Sequence, residues 1–89
     1  MKKIKLSGRE MSVLRAVDFS TGTPGIEIME RTRIELDELL GIINGLMDVG
    51  FIESNPYHEH LSEALLPKVI LEVNPGYIHE LKAVLYNRF

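Results

Sequence analysis

The chain has 89 residues, enough for one small domain with one modest core. It has no cysteine, which excludes a disulfide framework and a thiolate metal site, and its net charge of −3 and pI near 5.5 have the wrong sign for gripping phosphate backbones over the whole surface. No apolar run is long enough to span a bilayer and the N-terminus lacks the hydrophobic stretch of a signal peptide, so a cytoplasmic protein is expected.

The first helix begins at "LSGREM". Ser7 and Glu10 form a capping box, in which each side chain answers a backbone N–H at the open helix end, and Leu6 and Met11 can close a hydrophobic staple across it. Val13, Leu14 and Val17 then form an inward stripe, and Ser20-Thr21-Gly22 ends the segment. The second helix opens at "TPG", with Thr23 as N-cap and Pro24 in the first helical position, where no N–H is required. Ile28 faces the core, and the helix ends near Arg33.

The third helix starts at Glu35 or Asp37 and closes at Gly50, a natural C-terminal glycine. Leu39, Ile42, Ile43 and Leu46 share its inner face. "FIE" begins a short strand, and "KVILEVN" is a second one with Val69, Leu71 and Val73 on one side. The segment between them is too long for a tight hairpin. Its Leu61, Leu65 and Leu66 are expected to pack on the domain as a helical turn or to grip a partner. The last helix starts at Asn74-Pro75 and carries an apolar arc of Tyr77, Ile78, Leu81, Val84, Leu85 and Phe89. That arc is wide for one helix of a small domain, so a homodimer is expected, with the arc shared between the first helix and a second copy.

The predicted fold is therefore α+β and mostly α: a single domain over residues 1–89 with a three-helix core, a two-stranded wing and a C-terminal helix. "IEIMERTRIELDELLGIINGLMDVGFIE" resembles the core of the MarR and PadR-like transcriptional regulators. The likeness is carried by Ile28, Met29 and Glu30, by Ile34 after the turn, by Leu39, Ile42 and Leu46, and by Gly50-Phe51-Ile52 at the strand entry. "ILEVNPGYIHEL" resembles the family's second wing strand and following helix start. The resemblance implies a winged helix-turn-helix that regulates transcription, with the third helix set to read DNA.

The residues of that helix point elsewhere. Arg33 stands where the family's turn glycine lies, and Glu35 replaces the usual hydroxyl cap. The outer positions hold Leu36, Asp37, Glu38, Gly41, Asn44, Gly45 and Asp48, without a lysine or arginine. Residues 7–54 carry four bases against nine acids, a net of −5. Phosphate neutralisation supplies most DNA affinity and side chains at base edges supply specificity. DNA binding is therefore expected to be weak, with Asn44 and the basic arm Lys2, Lys3 and Lys5 as the only contact candidates.

Gly41 and Gly45 lie four apart on one helix face, and each costs about 1 kcal/mol relative to alanine inside a helix. Either they have drifted, or another part of the chain packs on them, or a protein partner does. Leu36, Leu40 and Met47 flank them as candidate contact residues, with Leu65, Tyr77, Leu81, Leu85 and Phe89 elsewhere. His58 and His60 lack a third ligand fixed by spacing, so no metal is expected. No nucleophile set, nucleotide loop or carboxylate pair has a recognisable spacing, so neither enzyme activity nor a cofactor is expected. Two functions remain: a DNA-binding regulator, or a protein-interaction module using the third helix or the wing.

Overall fold

The computed structural model describes residues 4–86. Lys2, Lys3 and Phe89, named above as contact candidates, lie outside them. Helix α1, Gly8–Ala16, begins as its sequence predicts: Ser7 Oγ accepts from Glu10 N at 3.1 Å, and Glu10 Oε1 accepts from Ser7 N at 2.8 Å. Leu6 and Met11 both pack against the core edge. The helix stops four residues short of the expected Ser20 turn. The Asp18 carboxylate collects the N–H groups of Ser20 and Thr21 at 2.7 and 3.1 Å, and Asp18 N donates to Thr23 Oγ1 at 2.8 Å. These local acceptors hold the backbone in a turn instead of a further helical coil.

Thr23 and Pro24 do not open a helix. They form a two-residue strand, β1, antiparallel to strand β3, Ile70–Val73, with Thr23 opposite Leu71 and Pro24 opposite Ile70. The Thr23 hydroxyl, already accepting from Asp18, is not a cap. Pro24 occupies the N-cap position and α2 runs Gly25–Thr32. Gly25 lies hard against the segment that leads into β3: its N–H donates to Val69 O at 2.9 Å, and a Cβ there would stand 2.0 Å from the Leu66 carbonyl oxygen.

Arg33 ends α2 in the left-handed region at φ 56°, so the turn keeps the shape that favours glycine. A residue with a Cβ costs about 1–2 kcal/mol in that conformation. Helix α3, Leu36–Asp48, follows, with Glu35 at its N-cap position making no side-chain cap bond. Leu39, Ile43 and Leu46 are buried, while Ile42 sits half-buried at the edge. The helix closes on Gly50 at φ 86°, with Gly50 N donating to Met47 O and Phe51 N to Leu46 O, the pairing of a Schellman cap.

Strand β2, Ile52–Asn55, and strand β3, Ile70–Val73, complete a sheet of order β1-β3-β2, all antiparallel. The expected two-stranded wing is thus a three-stranded sheet. Ile52 and Ser54 face inward from β2, and Leu71 and Val73 from β3, as period-two alternation requires. Leu61 and Leu66, from the connection between these strands, are also buried, and residues Leu66–Lys68 make a 3-10 turn. Asn74 then caps a second 3-10 turn, Pro75–Tyr77, by accepting from Gly76 N at 3.0 Å, and α4 follows over Ile78–Tyr86.

Among the described residues the fold is α+β and mostly helical, with four α-helices and one three-stranded antiparallel sheet. One cluster of buried apolar residues draws on α1, α2, α3, the sheet and α4. No helix among these residues is long and apolar enough to cross a membrane.

Candidate functional site

Packing fixes the orientation of α3. Its inner stripe meets the core, so Asp37, Glu38, Gly41, Gly45 and Asp48 are exposed on the outside. An ideal Cβ at Gly41 or Gly45 would meet nothing within 4 Å, so none of the described residues of this chain packs against the glycines. Leu36, Leu40 and Met47 are half-buried against the edge of the core. Much of the apolar surface expected for a partner is therefore already covered. Glu38 meets Arg9 of α1 at 3.0 Å, and Asp48 Oδ1 lies 2.9 Å from His60 Nε2.

Asn44 does not reach outward to bases. Its Nδ2 donates to Leu61 O at 3.0 Å, and its Oδ1 accepts from Leu61 N at 2.8 Å. The paired donor and acceptor that would read an adenine edge instead hold the β2–β3 connection onto α3. With Leu61 buried beneath it, this clamp fixes the base of the connection. Both halves of the Asn44 amide are thus engaged by backbone of the same chain, so the side chain is not presented to a base edge. Lys5 is exposed, on the segment just before α1.

The connection is anchored at its start as well. Buried Ser54 accepts from His58 N at 2.8 Å and donates to Pro56 O at 2.9 Å. Tyr57, between these two anchored residues, is 75% exposed. His58 and His60 do not join a ligand set: among the described residues no group of three or more His, Asp or Glu is placed to hold a metal. Leu65 is half-buried and Leu66 fully buried, so the leucine-rich turn packs on the domain.

The C-terminal arc is divided. Leu81 and Leu85 are in this chain's own core and have no free surface for a second copy. Tyr77 packs edge-on against Phe51 with ring centroids 5.0 Å apart, and Asn74 Nδ2 ties the same corner to Gly50 O at 2.8 Å. Tyr86 is the exposed aromatic of α4. The large apolar residues that do face solvent include Val49, Tyr57 and Tyr86, and sequence periodicity singled out none of them. Tyr57 carried a signal, as an aromatic beside an Asn-Pro turn in a polar stretch. Val49 and Tyr86 carried none, since each sits in a helical pattern that reads as apolar.

Two open clefts flank these elements. One, of about 540 Å³, lies where α1 meets the α2–α3 turn and is lined by Arg9, Thr32, Arg33, Glu35 and Glu38 among others. The other, of about 380 Å³, lies at the end of α1 beside α4 and gathers Arg15, Arg31 and Lys82. Comparison of the chain with protein-family models, with curated proteins and with solved structures finds no match.

Proposed function

We propose that this chain is a winged-helix domain, similar in plan to MarR and PadR-like transcriptional regulators, that works as a cytoplasmic protein-binding module and binds duplex DNA only weakly. The order α1-β1-α2-α3-β2-β3 with sheet order β1-β3-β2 supports the winged-helix assignment, as do the Ile28–Glu30 and Gly50–Ile52 motifs. The observation that carries the functional half is the Asn44–Leu61 clamp. It removes the one base-reading side chain from a helix whose remaining outer face is Asp37, Glu38, Gly41, Gly45 and Asp48. Such a face repels phosphate and offers no donor fork to a base edge. It is smooth and acidic, which suits a protein surface carrying positive charge. The same chemistry argues for a binding module and not a catalyst.

A labelled random-sequence duplex, titrated at several salt concentrations, tests this. Binding weaker than about micromolar with a shallow salt slope is expected. Sub-micromolar binding with a slope reporting several released counterions would overturn it. The exposed Lys5 favours a second reading, a regulator that grips DNA through its N-terminal basic arm. In that case Lys5→Ala, combined with the same change at Lys2 and Lys3, abolishes whatever duplex binding is seen.

A further inference from the structure

The pocket beside α4 has a charge opposite to that of the molecule. Arg15, Arg31 and Lys82 line it together with one acid, Asp18, while the chain as a whole carries −3. Two of its cations are held by backbone. Arg15 Nη2 donates to Leu85 O at 3.1 Å near the end of α4, and Arg31 Nη1 donates to Ala16 O at 3.0 Å at the end of α1. Arginines commonly answer open carbonyls at helix C-termini, and that role alone accounts for both being there. It also fixes the two guanidinium groups while leaving part of each in the pocket. The Lys82 ammonium lies 5.9 Å from the Phe19 ring centroid, which gives it a preferred position too. Asp18 stays ionised, because its carboxylate accepts from Ser20 N and Thr21 N, which hold its pKa below the ordinary 3.8, with a smaller contribution from Arg31. Glu27, one turn before Arg31, lies 3.6 Å from its Nη2. The pocket lining still carries three cations against the single Asp18 carboxylate.

The outer face of α3 in the same chain is the complement. Asp37, Glu38 and Asp48 are exposed around Gly41 and Gly45, where the backbone is open to close approach. Glu38 also meets Arg9 and Asp48 meets His60, at exposed positions, but none of these acids lines the basic pocket, so the two surfaces do not meet within one copy. We propose that the two meet between copies, with the acidic outer face of α3 docking in the Arg15–Arg31–Lys82 pocket of a second copy. The proposal rests on the reading of α3 as a protein-contact surface. It goes beyond that reading by naming the partner and the pocket.

The contact is head-to-tail, because each side contributes a different patch. Every docked pair leaves one α3 face and one pocket open, so assembly extends instead of stopping at a dimer. Exposed charge pairs are weak singly and are screened by salt. The assembly is therefore concentration-dependent and salt-sensitive. A long nucleic acid is a poorer occupant: three cations release only about three counterions, and the acidic surface beyond the pocket repels further phosphates.

Sedimentation velocity of the full chain tests the proposal over about 20–400 µM, a range suited to weak association. At ~0.05–0.1 M NaCl the average mass should climb past that of a dimer, and ~0.5 M NaCl should return it to monomer. Lys82→Glu, and separately Asp37→Lys with Asp48→Lys, should each move association to at least about tenfold higher concentration. An equimolar mixture of the two variants retains one intact pocket and one intact acidic face per pair. It should associate again and stop at a dimer. Gly45→Gln leaves every charge in place and puts its Cβ where none of the described residues lies within 4 Å, so its weakening of assembly would report contact at the glycine strip. A wild-type monomer throughout, assembly that survives high salt, or a mixture that stays monomeric would each overturn the proposal. So would a labelled single-stranded oligonucleotide that binds wild-type monomer and is lost with Lys82→Glu. Duplex binding through α3 would sink the protein-contact reading itself, whereas a monomer that ignores duplex DNA sinks only the self-docking.

Discussion

Gly25 and Gly45 are both helical glycines, yet their surroundings are opposite. At Gly25 a methyl group would sit 2.0 Å from the Leu66 oxygen and 2.9 Å from its carbonyl carbon. Both are backbone atoms, so relief requires the β2–β3 connection to move away from α2. Gly25→Ala should therefore lower stability by at least the ~1–3 kcal/mol typical of overpacking. At Gly45 the methyl enters open space, so alanine contributes only its helix preference and a more restricted unfolded chain. Gly45→Ala and Gly41→Ala should each raise stability by a few tenths to about 1 kcal/mol. Urea unfolding midpoints of the three variants check the contrast, and a loss at Gly45 in the monomer would mean α3 is covered by its own chain. Legibility at this scale depends on sequence distance. Ser7 and Glu10 are three apart and their pairing could be read directly. Asn44 meets the backbone of Leu61, 17 positions away, and no local pattern encodes that distance. A helix-facing asparagine therefore reads as a base contact until the fold supplies its partner.

At the scale of elements, the helices were legible because each carries an apolar stripe, with α1 opened by its capping box and α3 closed by Gly50. Strand β1 was not, because two residues are too few to show alternation, and Thr23-Pro24 resembles a helix start. Its pairing depends on β3, nearly fifty residues later. The sheet also contains a local conflict. Glu53 and Glu72 stand directly opposite in the β2–β3 register, and both line a separate cleft with Thr21, Gly22 and Ile78. Like charges at paired positions are destabilising, and an opposite-charge pair contributes roughly 0.2–1 kcal/mol relative to alanines. Glu53→Lys should stabilise the fold by about that amount, with the gain shrinking as salt rises. Thermal unfolding at low and high ionic strength would show it, and a destabilised variant would mean that the two carboxylates serve the sheet in a way their register does not reveal.

For the whole molecule, the balance of charge was legible in composition while its segregation was not. Arg15, Arg31 and Lys82 come from three helices, and only the packing of α1 with α2 and α4 gathers them. The packing of α4 likewise decides how the chain can associate. An apolar arc along a final helix suggests a dimer seam, but Leu81 is 0% exposed and Leu85 5% exposed within the single copy. Leu81→Ala should then cost about 2–5 kcal/mol through lost burial and the cavity left behind. At a salt concentration that suppresses charge-driven association, this loss should be the same at every protein concentration, because both sides of the broken contact belong to one chain. If α4 were an interface between copies, the variant would recover as concentration rose, since mass action favours the associated state. Denaturant midpoints for wild type and Leu81→Ala at two widely separated protein concentrations distinguish these outcomes. A concentration-dependent gap between the two would place the C-terminal helix, and not the acidic face of α3, at the contact between copies.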